Sequence, residues 1–141
     1  MKIKEVMARP VFVLPDSTKK ELLNTARKNK DAEIFIVAGK DKKFLGDITI
    51  ADLFLMLLPN QKFEEIGVQL AFDLEKKFFA KTAKELMRRH EFRCSPDDDV
   101  LKVATRLAGI EIDQMPVINK SGMVVGVVTE GIIVRKLKQN D

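Results

Sequence analysis

The sequence predicts an α/β fold: two βαββα units related by a pseudo-twofold axis and packed through their sheets. Three observations carry this expectation. The chain repeats itself at a shift of 80 residues, which sets Lys4-Glu5-Val6-Met7 on Lys84-Glu85-Leu86-Met87, Phe12 on Phe92, Gly46 on Gly126 and Thr49 on Thr129. Short β-rich runs alternate with helix-start patterns in each copy. Turn residues fall at matching places, Pro15-Asp16 and Pro96-Asp97, where the shift is briefly 81 before returning to 80 at Val37 and Val117. A one-residue drift in a loop is what two related units should show.

In the first copy, Val11-Phe12-Val13-Leu14 is a strand, broken by Pro15-Asp16-Ser17. Thr18-Lys19-Lys20-Glu21 has the capping-box pattern, in which a threonine and a glutamate three residues on satisfy each other's backbone N–H groups. Leu22, Leu23 and Ala26 give the helix that follows an apolar side. Ile34-Phe35-Ile36-Val37 is the next strand, Gly39 to Lys43 a polar turn, and Phe44 to Ile48 a third strand. A helix runs from Ile50 to Leu58 and stops at Pro59.

The second copy follows in the same order. Phe92-Arg93-Cys94 is a weaker strand, and Val100 to Leu107 a helix. Met115-Pro116-Val117-Ile118 and Met123 to Val128 are strands, and Gly131 to Lys138 the closing helix. The domain division expected is therefore residues 1–58 for the first repeat, 59–80 for a helical connector and 81–141 for the second repeat. The connector matches neither copy. Its apolar residues Phe63, Ile66, Leu70, Phe72, Leu74, Phe78 and Phe79 suit one or two helices packed on the repeats or on a second chain.

Composition bounds the function. A chain of 141 residues with 45% hydrophobic content suits one globular domain, or two half-sized units sharing a core. The apolar run from Ile50 to Leu58 is far shorter than a membrane span, and no secretory leader is evident. Cys94 is the single cysteine, which fits a reducing, cytoplasmic setting. The net charge of +4 is spread over both repeats, and the chain has no tyrosine or tryptophan to stack on bases. Nucleic acid is therefore not the expected partner.

The junction of the third strand and second helix offers chemistry. A helix start presents backbone N–H groups and a positive dipole end. In copy one it reads Gly46-Asp47-Ile48-Thr49-Ile50-Ala51-Asp52-Leu53. Gly46 permits close backbone approach, Thr49 supplies a hydroxyl, and Asp52 a carboxylate able to accept two ribose hydroxyls. The competing account is that Thr49 and Asp52 simply cap the helix, as Thr18 and Glu21 do.

These residues resemble the CBS-domain family, and specifically a tandem pair of such domains. The resemblance rests on Val6-Met7 and Leu86-Met87 at the openings and on Pro15-Asp16 and Pro96-Asp97 before the first helices. It rests also on the strand Met115-Pro116-Val117-Ile118-Asn119, and on Gly46 to Leu53, similar to the family's Gly-x-Ile-Thr-x-x-Asp-Leu. It covers nearly the whole chain apart from the connector. It implies a stand-alone regulatory module, not an enzyme, that senses an adenosyl ligand: AMP, ADP, ATP or S-adenosylmethionine. No cofactor is required; an adenine nucleotide is the ligand expected. By the resemblance Asp52 holds the ribose, Thr49 binds ribose or phosphate oxygens, the loop Arg9-Pro10-Val11 borders the base, and Ile34 and Ile48 are apolar walls. A homodimer and an effector protein, not identifiable from the chain, are the partners expected. Leu53, Leu57, Ile133 and Leu137 are candidates for the dimer surface, unless they lie in the core. The alternative function is a ligand-free dimerisation or interaction scaffold.

Copy two departs from the family pattern. Gly126-Val127-Val128-Thr129-Glu130-Gly131-Ile132 keeps the threonine but has Ile132 where the family has aspartate. A second cleft formed with Arg89, His90 and Thr129 therefore lacks the ribose acceptor. The residues before the Pro-Val strand, where the family often carries Arg or His, are Glu33-Ile34 and Asp113-Gln114, which disfavour a polyphosphate. Arg9, Arg88, Arg89 and His90 remain as candidates for a phosphate. No metal site is expected: His90 is the sole histidine. Asp97-Asp98-Asp99 precede a helix, where negative charge suits the dipole. Met7, Met56, Met87 and Met115 are expected in the core.

Overall fold

A computed structural model of the chain describes residues 1–58 and 79–138. A 3-10 turn at Ile3–Glu5 leads to β1 (Phe12–Val13), α1 (Lys19–Lys28), β2 (Ile34–Ala38), β3 (Phe44–Thr49) and α2 (Ile50–Leu57). The second copy supplies α3 (Ala83–Leu86), α4 (Val100–Gly109), β4 (Gln114–Ile118), β5 (Val124–Thr129) and α5 (Glu130–Lys136). The expected βαββα order is therefore present in the first copy, and the second keeps its αββα part without a full first strand. The helical connector expected over residues 59–80 lies, Phe79 and Ala80 apart, outside the described residues.

Local chemistry explains most of these elements. Thr18 caps α1, with Glu21 N–H donating to its Oγ1 at 3.3 Å and Thr18 N–H donating to Glu21 Oε1 at 3.3 Å. Leu22, one turn in, is the buried anchor of that helix. The turns between paired strands match across the repeat: Lys42 has φ 62°, and Gly122, 80 residues later, φ +81°. Both turns need a left-handed residue, and only the second uses the residue that adopts it without steric cost.

β1, β2 and β3 form one sheet in that order, and β1 runs parallel to β2 with Phe12 opposite Ile36 and Val13 opposite Val37. The parallel pair is what the α1 crossover allows. β1 is shorter than Val11 to Leu14, because Leu14 is exposed and its N–H turns to Ser17 Oγ at 3.0 Å. β4 and β5 pair antiparallel, with Gln114 opposite Thr129 and a register shift after Val117. The weak strand at Phe92-Arg93-Cys94 is reduced to one bridge, Cys94 parallel to Val117. Phe92 and Arg93 are exposed, so only Cys94 gains from joining the sheet.

The two compact units cut across the sequence copies. One comprises Met1–Pro10, Lys40–Phe44 and His90–Asp141; the other Val11–Gly39 and Leu45–Arg89. Each unit has its own core. The first gathers Ile3, Val6, Cys94, Val100, Val103, Leu107, Met115, Val117, Val128 and Ile133. The second gathers Val13, Leu22, Phe35, Val37, Ile48, Leu53, Met56, Ala80, Ala83 and Leu86. Ile3 and Val6 thus pack with repeat two, while their counterparts Ala83 and Leu86 pack with repeat one. Burying an Ile, Val or Leu contributes about 1.5–3 kcal/mol, so these exchanged segments are substantial parts of each core.

Leu53 and Ile133 belong to the cores, at 4% and 7% exposure, and are unavailable to a dimer surface. Leu137 packs against the first core, and Leu57 is exposed.

Candidate functional site

β3 ends and α2 begins at Thr49, the N-cap residue, with φ −98° and ψ 165°. Asp52 N–H donates to Thr49 Oγ1 at 3.2 Å, and Thr49 N–H donates to Asp52 Oδ2 at 2.9 Å. The capping box is therefore formed, and it fixes the Asp52 carboxylate, 2% exposed, at the helix start. Ile50 N–H donates to Glu33 O at 3.2 Å, which places the start of β2, and hence Ile34, beside the Thr49 junction. Ile34 is buried, at 2% exposure, and is not one of the residues gathered in the second unit's core cluster.

Ile48 does belong to that core. Alternation along a strand turns Ile48 to one face of β3 and Asp47 and Thr49 to the other. The structure thus brings Thr49, Asp52 and Ile34 together and sets Ile48 on the opposite face. Arg9 is exposed and Pro10 half-buried. Val11 packs against the second core, and its carbonyl accepts from Ile36 N–H at 2.8 Å.

The opening segments of the two copies reach the strands of the opposite copies. Arg88 and Asp47 exchange backbone hydrogen bonds at 2.8 and 3.0 Å. The Arg88 guanidinium also meets Asp47 Oδ1 through Nε at 3.1 Å and a terminal nitrogen at 3.1 Å. Asp47 is fully buried, whereas the Arg88 side chain is about a third exposed. Arg88, a candidate for phosphate, is thus engaged by a carboxylate of the chain itself. In the other unit Ala8 and Val127 form the same backbone bridge, at 2.9 and 3.0 Å, with apolar side chains in place of the ion pair. Gly46 and Gly126 make room for these crossings. A Cβ on Gly46 would stand 2.6 Å from Arg88 O and 2.7 Å from Met87 Sδ; one on Gly126 would stand 2.5 Å from Met7 Sδ.

Asp47 escaped the sequence reading. The signal was present: a carboxylate inside a strand whose counterpart, Val127, is apolar.

In repeat two, Thr129 caps α5 by accepting from Ile132 N–H at 3.1 Å, and Ile132 returns no side-chain hydrogen bond. Arg89 is exposed. His90 stacks on Phe92 with ring centres 5.6 Å apart, lies 5.4 Å from Phe44, and accepts Phe92 N–H at Nδ1, 3.2 Å away. Cys94 Sγ contacts Pro116 O at 3.7 Å. Burial, then the nearby Asp98 carboxylate, pushes the Cys94 thiol up to about 12, so it is not a nucleophile at neutral pH.

The three consecutive aspartates have separate duties. Asp99 caps α4 by accepting from Lys102 N–H at 3.2 Å, and Asp98 accepts Ser95 N–H at 2.8 Å. Asp97 pairs with Lys4 at 3.1 Å and Lys2 at 3.8 Å; the hydrogen bond and charge of Lys4 hold its carboxyl below the usual range. Among the described residues no three His, Cys, Asp or Glu side chains are grouped to hold a metal, and no helix is long and apolar enough to cross a membrane.

Comparison with known proteins agrees with this architecture. The CBS domain pattern matches residues 3–58 and 83–139. An uncharacterised protein of Methanocaldococcus jannaschii, MJ1426, is 23% identical over 154 residues, covering 97% of this chain and 91% of its own. Among solved structures, CBSX2 in complex with AMP superposes with a TM-score of 0.76 at 19% identity, covering 98% of this chain and 99% of its own. The CBS domain pair of protein MJ0100, in complex with 5′-methylthioadenosine and S-adenosyl-L-methionine, gives 0.74 at 22% identity, with 96% and 94% covered. The cytosolic domain of the Mg2+ channel MgtE, in complex with ATP, gives 0.69 at 20% identity over 96% of this chain and 48% of its own. At these identities the structures speak for the fold alone, and the sequence pattern, matched once in each copy, places this chain in the CBS-domain family as a tandem pair.

Proposed function

We propose that this CBS pair is a regulatory module that binds an adenosyl compound (AMP, ADP, ATP or S-adenosylmethionine) at repeat one and passes the response to an effector protein. Thr49 and Asp52 hold the ribose, Ile34 supplies an apolar wall, and the Arg9-Pro10-Val11 segment borders the base. The observation that carries this reading is the Asp52 carboxylate, held at the start of α2 by Thr49 N–H. Accepting Thr49 N–H does not by itself preclude a ligand hydroxyl, since an ionised carboxylate has about four lone-pair sites. The ligands named with the similar CBS pairs, AMP, ATP, S-adenosyl-L-methionine and 5′-methylthioadenosine, share the ribose that such a carboxylate suits. For the ligand to signal, it must bind one state of the module better than another.

Titration calorimetry with AMP, ATP and S-adenosylmethionine tests the site. At least one should bind, and Asp52→Asn, which can still cap the helix, should weaken binding by 10-fold or more. If none binds, or Asp52→Asn binds as wild type, the assignment of the site is wrong.

The module is also proposed to dimerise. Ile50, Phe54 and Leu57 lie at i, i+4 and i+7 on α2 and are 46%, 59% and 49% exposed, one continuous apolar stripe. The same stripe supports the second reading, a scaffold that works through protein contacts without a ligand.

A further inference from the structure

The first strand of repeat two fails where that of repeat one forms, and one residue explains it. In repeat one, Ile36 N–H donates to Val11 O at 2.8 Å, and Phe12 and Val13 pair with Ile36 and Val37. At the matching place in repeat two stands Pro116, which has no N–H to give. Cys94 still joins β4, donating to Pro116 O at 3.1 Å and accepting from Ile118 N–H at 2.8 Å. Upstream of Cys94 the missing donor ends the ladder, and Glu91, Phe92 and Arg93 lie exposed.

A histidine takes over there. Phe92 N–H donates to His90 Nδ1 at 3.2 Å. The imidazole also lies against two rings: Phe92, 5.6 Å away between centres and inclined by 28°, and Phe44 at the start of β3, 5.4 Å away and inclined by 57°. One half-buried side chain therefore both accepts the Phe92 amide and ties the segment to β3. A backbone N–H can only donate, so Nδ1 is the unprotonated nitrogen of the ring. An imidazolium carries N–H on both nitrogens and cannot accept. It can still lie against Phe44 and Phe92, as cations do on aromatic rings. Protonation therefore removes the hydrogen bond and leaves the ring contact. The charged side chains on the elements around the ring are of both signs: Arg89, Glu91 and Arg93 on its own segment, and Asp41, Lys42 and Lys43 on the turn before Phe44.

We propose that His90 is a pH-sensitive latch on the segment leading into Cys94. Neutral, it holds the Phe92 amide and fixes the path of Glu91, Phe92 and Arg93. Protonated, it releases that amide, and the segment loosens, because upstream of Cys94 there is no ladder to hold it. Cys94 itself stays in the sheet. Histidine is the side chain whose ordinary titration falls roughly between pH 5 and 8, and this hydrogen bond lies at the surface, open to protons from solvent. The latch is closed at the upper end of that range and opens as the pH falls. It gives the chain a response to acidity that needs no ligand, and it does not rest on the reading of Thr49 and Asp52.

Nuclear magnetic resonance of the full chain, titrated from about pH 8 to about pH 5, tests the latch. The Phe92 amide shift should move with the same midpoint as the His90 ring. After correction for intrinsic exchange, the Phe92 amide should exchange with water about fivefold faster at the acid end, the loss expected for one hydrogen bond. The Ile118 amide, bonded to Cys94 O, should keep its protection throughout. Two variants separate the hydrogen bond from the ring. His90→Asn keeps an acceptor for the N–H two residues on, does not titrate, and should hold the Phe92 amide equally at both ends. His90→Ala should leave it unprotected at both ends. A wild-type Phe92 amide that does not follow the His90 ring, or that is equally protected at both ends, overturns the latch, and this result needs no variant to fold. A pH dependence that persists in His90→Asn belongs to another group and also overturns it. Loss of protection at Ile118 at the acid end means that Cys94 leaves the sheet as well, which overturns the claim of a local release.

Discussion

Glycines 46 and 126 occupy equivalent places but do not tolerate the same change. A Cβ at Gly46 would meet a backbone oxygen, Arg88 O at 2.6 Å, which cannot move without breaking the Asp47–Arg88 bridge. At Gly126 the obstacle is the flexible side chain of Met7, with Sδ at 2.5 Å and Cγ at 2.9 Å. Overpacking costs typically 1–3 kcal/mol. Gly46→Ala is expected to cost about 3 kcal/mol and Gly126→Ala about 1, an order that urea denaturation of the two variants checks. Cys94 gives a second expectation. Its thiol, raised by burial from 9.0 to about 12, stays protonated in the folded protein at pH 8. Iodoacetamide should therefore label it only after unfolding. A folded pKa above the unfolded value means that this group's contribution is intact below pH 9 and is lost as pH rises from there toward 12. A pH titration of thermal stability should decline over that window, and less steeply in Cys94→Ala.

Among the elements, β3 shows most plainly how one repeat differs from the other. Its bridge to the crossing segment carries an ion pair between Asp47 and Arg88, where β5 has Val127 and Ala8. Removing only Arg88 takes the cationic partner from a fully buried carboxylate, and breaking a buried pair costs roughly 3–5 kcal/mol, toward the low end here because Arg88 is partly exposed. Arg88→Ala should be strongly destabilised in urea. The double variant Asp47→Val with Arg88→Ala copies repeat two and should recover most of that loss. If it recovers nothing, the ion pair is not the source of the cost. The helices α1 and α2 were legible because their caps are local: Thr18 with Glu21 and Thr49 with Asp52 lie three residues apart. The strand at Phe92 to Cys94 was legible only in part, because a strand needs a partner along its length and just Cys94 has one.

At the scale of the whole molecule, the proposed dimer makes the outward stripe of α2 its key surface. Phe54, the most exposed of its three residues, is the one to change. Light scattering after gel filtration should find wild type as a dimer and Phe54→Glu as a monomer of unchanged circular dichroism. A monomeric wild type would remove the proposal. Leu53, one residue away, would be a poor choice, since it sits in the core and its replacement tests folding instead. Periodicity alone did not separate Leu53 from Leu57, because both are apolar and the helix between them is short.

The amino-acid sequence by itself determined the duplication, the α/β order of elements, the helix caps and the loss of a carboxylate at Ile132. Each depends on residues close in the chain or on comparing one copy with the other. The tertiary structure decided how the opening segments are shared, with Ile3 and Val6 in the core of repeat two and Ala83 and Leu86 in that of repeat one. It also decided that Arg88 meets Asp47, that Ile48 enters a core, and that Gln114 Nε2 is buried without a hydrogen-bond partner. These outcomes follow from contacts between residues distant in sequence, whose energies depend on burial and register and leave no periodic trace in the chain.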